Sequence, residues 1–324
     1  MADGTNIEWT DATWNPITGC RVKSPGCKFC YAMKLAGTRL KHHPSREGLT
    51  VDTKNGPVWN GEARFNEAWL TQPLKWAKPR MIFVCAHADL FYEAVLDEWI
   101  DRVFAVMASS PRHIFQVLTK RPERMRDYLT RVEEEPFRET VKRFAKAMPA
   151  APWADFDAMT FPSPNIWLGT SVEDQERADE RREPMRELAE AGWLTWVSYE
   201  PALGQVDWHG WEFLRWMVSG GESGEHARPS SPSCHRQARD FCAASAIPYL
   251  FKQWGAFRPA TEAELVGGNR HAKLVDERKE CGYYCDDDVG HVDHGGEWMV
   301  RVGKKKAGRA LDGVIHDGFP QVAA

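Results

Sequence analysis

The chain has 324 residues, 43% of them hydrophobic and 27% charged, with a formal net charge of −4. Such a composition lies in the ordinary globular range and argues against a disordered or membrane-spanning chain, while the length holds one large domain of the barrel class with additions. The small negative charge excludes a globally basic polyanion binder, so any nucleic-acid contact must come from a local basic face.

No run of about 18 apolar residues is present, and the first twenty residues lack a basic start followed by an apolar stretch. These features predict a cytoplasmic protein without a membrane partner. Eight cysteines in such a chain read as metal ligands or buried thiols, not as disulfides.

Residues 5–19 mix Trp, Thr and Ile with an Asn15-Pro16 turn and read as a short strand that delivers Gly19-Cys20 to a loop, which Ser24-Pro25-Gly26 turns back. Residues 31–40 fit a helix. Residues 42–79, rich in His, Pro, Gly, Lys and Trp, show no sustained period and predict an excursion over the cysteine face with at most a short strand. A strand-and-helix rhythm follows, with a strand over 80–85, a helix over Asp97–Ala108, a strand over 113–118 and a helix opened by Pro122. Residues 131–164 interrupt it with an inserted helix and a loop. The rhythm returns with strands over 165–171, 194–198, 216–219 and 248–254, and with helices ending near Ala191 and running from about His235 to Ala246.

Seven strands, several apolar on both faces, predict parallel pairing through right-handed crossovers. The expected fold is α/β, a full or partial (β/α) TIM-type barrel over residues 1–255, with insertions at about 42–79 and 131–164 and a C-terminal extension over 256–324. An open doubly wound sheet is the competing architecture. In such barrels chemistry sits at the carboxyl ends of the strands. The sequence puts Cys20, Cys27 and Cys30 after the first strand, His87 and Asp89 after the second, and Lys120 and Arg121 after the third. Ser171 and Glu173 follow the fourth, Glu200 the fifth, Glu222 and Ser223 the sixth, and Lys252 and Gln253 the seventh. Ser171, Asp174 and Ser223 serve equally well as helix caps.

Cys20, Cys27 and Cys30 fall within eleven residues. Structural zinc takes four protein ligands, and no fourth Cys or His lies close by. A 4Fe-4S cubane held by three cysteines keeps one iron for a small-molecule ligand, and Phe29 can cover a face of such a cluster and keep water off it. The competing reading is a zinc site or simple buried thiols. Cys85, Cys234 and Cys242 read as structural thiols. Cys281, Cys285, His291 and His294 form either a zinc knuckle or a surface loop.

Cys-x6-Cys-x2-Cys with an aromatic before the last Cys is similar to the radical S-adenosylmethionine (SAM) superfamily, whose usual spacing is Cys-x3-Cys-x2-Cys. The first gap here is three residues longer. The flank Ile7-Glu8-Trp9-Thr10-Asp11-Ala12-Thr13-Trp14-Asn15-Pro16 more closely resembles an uncharacterised phage and bacterial family marked by its three-cysteine motif. That resemblance covers most of residues 5–255 and the segment Lys306-Ala307-Gly308-Arg309. It implies a 4Fe-4S cluster on Cys20, Cys27 and Cys30, SAM at the open iron, reductive cleavage to a 5′-deoxyadenosyl radical, and an external electron donor such as flavodoxin or ferredoxin.

In the superfamily a Gly-Gly-Glu after the second strand holds the SAM amine. Here that strand ends in Ala86-His87-Ala88-Asp89, whereas Gly220-Gly221-Glu222 follows the sixth. Asp89 is therefore expected to hold the amine, with Lys120, Ser171 and Glu173 placed for carboxylate and ribose, and with Glu200 and Glu222 facing substrate as catalytic groups. Two basic clusters, Lys34 to Arg46 and Arg301 to Arg309, with Trp59, Trp69 and Trp76, suit DNA or a nucleotide if they are not simply solvated faces. Nucleobase repair or modification is then the expected task. The alternatives are a non-catalytic zinc and nucleic-acid binding protein and a SAM-independent Fe-S redox protein.

Overall fold

A computed structural model describes residues 4–130, 137–148, 160–266, 272–275 and 297–321. Seven segments form the principal sheet: β1 (Ala12–Trp14), β2 (Met81–Val84), β3 (Ile114–Thr119), β4 (Ile166–Ser171), β5 (Leu194–Tyr199), β6 (Trp216–Gly220) and β7 (Tyr249–Gln253). Every residue of β4 and β6 is buried, as runs such as Ile-Trp-Leu and Trp-Met-Val require when both faces of a parallel sheet are covered.

Hydrogen bonding joins the strands in chain order, β1 through β7, with parallel registers such as Trp14 beside Val84, Val84 beside Val117 and Trp216 beside Trp196. A doubly wound sheet needs a point where strand order reverses. This order has none, so the architecture is the partial (β/α) barrel. The helices between the strands are α1 (Tyr31–Gly37), α2 (Asp97–Ala108), α3 (Pro122–Thr130), α4 (Phe137–Ala147), α5 (Gln175–Glu190) and α6 (Pro232–Ala244).

The chain divides into two compact units. The first comprises Met1–Thr170, Pro184–Thr195 and Val322–Ala324, the second Ser171–Glu183 and Trp196–Gln321. In the first, α2 begins with Asp97 and Glu98, whose charges suit a helix N-terminus. Its Phe104 meets Phe91, Tyr128 and Trp193 edge-on or tilted. Residues 42–79 hold more strand than their composition predicts: a hairpin pairs Thr50–Thr53 with Gly56–Trp59, and Arg64–Phe65 pairs with Ile17–Thr18. The helix expected in the 131–164 insertion is α4, which buries Val141 and Ala145.

The second unit packs Trp196 against Trp216 at 5.1 Å between ring centroids. Phe257–Pro259, Glu297–Arg301 and Ala272–Val275 form a small antiparallel sheet. The C-terminal segment then runs along the outer edge of β7: Phe251 N–H donates to His316 O at 3.1 Å, Gly318 N–H to Tyr249 O at 2.9 Å, and Trp216 Nε1 to Gly318 O at 2.8 Å. Covering that edge removes a template for unwanted strand pairing. Among the described residues no helix is long and apolar enough to cross a membrane.

Candidate functional site

In the first unit the chain leaves β1 through Asn15-Pro16 and reaches Gly19, whose φ is +93°. A Cβ at this position would lie 2.2 Å from Glu62 O, so glycine is required both by conformation and by the close backbone approach. Its N–H donates to His87 O at 3.3 Å, which ties the cysteine loop to the exit of β2. The loop carries Cys20, closes a 3-10 turn over Pro25–Cys27, and reaches Cys30 at the N-cap of α1.

Cys20, Cys27 and Cys30 are free thiols, each partly exposed. Cys20 and Cys30 pack against an apolar cluster that α1 supplies with Ala32, Met33 and Ala36, and that the 42–79 excursion completes with Leu49 and Trp59. The excursion thus covers one side of the cysteine loop. Burial pushes the Cys20 and Cys30 thiols up, and the charge of Cys27 raises both further. Opposing this, Arg121 favours the thiolate at Cys20, while Lys120 and the backbone amides of Met33 and Ala32 favour it at Cys30. In the metal-free chain burial outweighs these opposing groups, so Cys20 and Cys30 favour the thiol form. Among the described residues, no three His, Cys, Asp or Glu side chains stand as a ready-made metal ligand set.

Asp89 joins the exits of β2 and β3. Cys85, in the left-handed region at φ +56°, turns the chain after β2, and Asp89 is 6% exposed beyond it. Its Oδ1 accepts from Phe91 N–H at 3.0 Å and Thr119 Oγ1 at 2.6 Å; its Oδ2 accepts from Lys120 N–H and Arg121 Nη1, both at 3.0 Å. Arg121 also donates from Nε to both oxygens of Glu93 and from Nη2 to Arg21 O at 3.2 Å. The same Arg21 carbonyl takes the Cys20 thiol at 3.5 Å, so one guanidinium links the β3 exit, Asp89 and the first cysteine.

Tyr31 donates to Ala86 O at 2.6 Å and stands edge-on to His87. Burial, then the charge of Arg46, lowers His87 from its ordinary 6.5 to about 4. Because the folded value lies below the unfolded one, the unfolded chain takes up a proton between those values that the folded chain refuses. Stability contributed by neutral His87 is present above pH 6.5 and is lost as pH falls toward 4. Urea midpoints measured at about pH 7 and about pH 4.5 should differ, and His87→Gln should shrink the difference.

The second unit holds the remaining expected residues. Glu173 and Arg181 form a fully buried pair at 2.9 Å, with Arg181 Nη1 also donating to Ser171 O at 2.6 Å. Glu200, directly after β5, takes Lys252 Nζ at 3.1 Å and Ser198 Oγ at 3.2 Å. Gly220 leaves room for it, since a Cβ there would lie 2.5 Å from Glu200 Oε1. Glu222 is held by Arg228 through Nε, Nη2 and the backbone N–H at 2.8–2.9 Å. Gln253 Nε2 donates to Gly221 O at 3.0 Å.

Cys20, Cys27, Cys30, Phe29, Asp89 and Lys120 lie in the first unit, and Ser171, Glu173, Glu200 and Glu222 in the second. Cys281, Cys285, His291 and His294 lie outside the described residues. Cys85, Cys234 and Cys242 are buried. Sequence reasoning did not assign the clamp role of Arg121 or the place of Tyr31 and His87 beside the loop. The partners of Arg121 lie 28–100 residues away in sequence, and no local signal announces them.

The sequence matches, over residues 4–320, the family described as "Protein of unknown function (DUF5131)". The chain belongs to this family. The DUF5131 match spans both units, so the cysteine loop and the C-terminal segment on β7 are parts of one family unit. No curated protein matches the DUF5131 chain described here. Among solved structures, a point mutant of spore photoproduct lyase is similar at 10% identity and a TM-score of 0.33, over 88% of this chain and 67% of that one.

Proposed function

We propose that this DUF5131 protein is a radical SAM enzyme whose 4Fe-4S cluster is held by Cys20, Cys27 and Cys30. The observation that carries the reading is the loop itself: three free thiols follow β1 on one loop, with Cys20 and Cys30 packed against an apolar cluster and with Lys120, Arg121 and the first α1 amides acting on them. The donor set fits such a cluster. Three cysteine ligands suit a cubane with one open iron, whereas structural zinc is closed by four ligands. A cluster held by Cys20, Cys27 and Cys30 would supply one-electron reductive cleavage of a bound SAM, releasing methionine and so providing for hydrogen abstraction from a substrate.

The residues of the chain then bind, orient and exclude water. Leu49, Trp59 and Phe29 keep water from the thiolates, and the α1 amides and Lys120 offset their charge. Lys120 is assigned to the SAM carboxylate. Asp89 fixes the backbone of Lys120 and the guanidinium of Arg121, and any contact to the SAM amine is made from that held position. Glu173, fully buried against Arg181, is assigned a structural role and not a contact to ribose, and Glu200 and Glu222 are each half of an ion pair. Electrons come from an external donor such as flavodoxin or ferredoxin.

Anaerobically purified and reconstituted protein should contain about four iron and about four acid-labile sulfide per chain. Cys20→Ala, Cys27→Ala and Cys30→Ala should each lose most of both. Protein that binds stoichiometric zinc and no iron would defeat the reading and favour the non-catalytic alternative.

A further inference from the structure

The cysteine loop and α1 lie in a stretch of unusual charge. Between Asp11 and Glu47 the chain carries seven Lys and Arg and no acidic residue, although the whole molecule is net −4. Arg21, Lys23, Lys28, Lys34 and Arg39 are all exposed, and Lys41 is matched by Asp52 at 2.6 Å. The charge of this stretch is therefore strongly positive. Arg46 is lowered to about 10 by burial and then by the neighbouring charge of Arg64, and it in turn helps hold His87 neutral.

Apolar side chains stand among these cations. Tyr31 is 52% exposed and Val22 44%. The Tyr31 ring is fixed by its bond to Ala86 O and its edge contact with His87. Lys28 lies over Phe29 at 5.3 Å from the ring centroid. Exposed cations interleaved along the sequence with an immobilised, half-exposed aromatic ring are what single strands require, because phosphates take the charges and an unpaired base takes the ring face. A duplex would use the charges but leave the ring without a partner.

We infer that the face formed by the cysteine loop and α1 binds single-stranded nucleic acid, with Lys23 and Lys28 on phosphates and Tyr31 stacked on a base. The inference rests on the reading above only in making this strand the substrate; the binding itself needs no cluster. Bound in this way, a nucleotide lies against the loop that carries the thiols, where a short-lived radical can reach it.

The test is fluorescence anisotropy of fluorescein-labelled oligothymidylate with the full chain, titrated at several KCl concentrations. Lys23→Gln combined with Lys28→Gln should weaken binding at low salt at least about tenfold. The same pair should reduce the slope of log K against log salt by about 1.4, or about 0.7 for each phosphate no longer neutralised. Tyr31→Ala should weaken binding about tenfold with the slope unchanged, while Tyr31→Phe, which keeps the ring face and loses only the bond to Ala86 O, should weaken it less. Lys305→Gln with Lys306→Gln, on the other basic segment, should leave affinity and slope as they were. Absence of binding, equal affinity for a blunt duplex, or an equal loss in the Lys305 and Lys306 variant overturns the inference. Strand binding by protein that never releases 5′-deoxyadenosine would refute the enzymatic reading alone, and release of 5′-deoxyadenosine without strand binding would refute this inference alone.

Discussion

Arg181→Leu is expected to lower the free energy of unfolding by about 3–5 kcal/mol, because it strands a carboxylate with no access to water. The side chains of Arg181 and Glu173 are 1% and 0% exposed, so neither ion is solvated when its partner is removed. The intact pair is itself an imperfect bargain. Arg181 Nε and Nη2 find no hydrogen-bond partner among the described residues, so part of the desolvation cost goes unrecovered. Removing both charges, as in Glu173→Leu with Arg181→Leu, should therefore cost clearly less than the arginine change alone. Urea denaturation of Arg181→Leu, Glu173→Leu and the double variant measures this; a double variant as unstable as the sum of the singles would show that the ions act independently.

Arg121→Leu is expected to be of similar size, about 3–5 kcal/mol, for a related reason and with an added consequence for iron. Two carboxylates face this guanidinium, and exposure decides between them. The Glu93 side chain is 60% exposed and Asp89 only 8%. The exposed pair contributes at most about 1 kcal/mol, so nearly the whole effect comes from leaving Asp89 buried beside Thr119 and Lys120. Because Arg121 also holds the Arg21 carbonyl, its loss should free the first cysteine and lower iron retained after reconstitution. Arg121→Lys should recover only part of either quantity, since a single ammonium cannot span Asp89, Glu93 and the carbonyl as the planar fork does. Denaturation curves and iron content read together check the two effects.

The limits of β2 through β7 were legible because their residues are apolar on both faces and the turns between them are marked by Gly, Pro and Asp; Ile166–Ser171 and Trp216–Gly220 fall within a residue of expectation. The hairpin over 50–59 was not, because its first strand is polar and exposed and its second buries little beyond Trp59. Asn55-Gly56 was the available clue: Asn55 closes the two-residue turn and Gly56, at positive φ, opens the second strand opposite Thr53. The cysteine loop could be found because its ligands lie within eleven residues. What surrounds it could not: Asp89 meets Thr119 and Arg121 across 30 and 32 residues, and such contacts exist only once parallel strands set their carboxyl ends side by side. Glu222 was singled out by its glycines, and its bond to Arg228 six residues on depends on a loop conformation that composition does not encode.

The most direct test is anaerobic reconstitution with iron and sulfide, followed by dithionite and SAM, with 5′-deoxyadenosine measured by chromatography. Parent protein should release it, and Cys27→Ala, which removes the thiol coupled to both others, should release none. Equal release by Cys27→Ala, or none by a parent protein loaded with four iron, would contradict the assignment of the three thiols to a SAM-cleaving cluster.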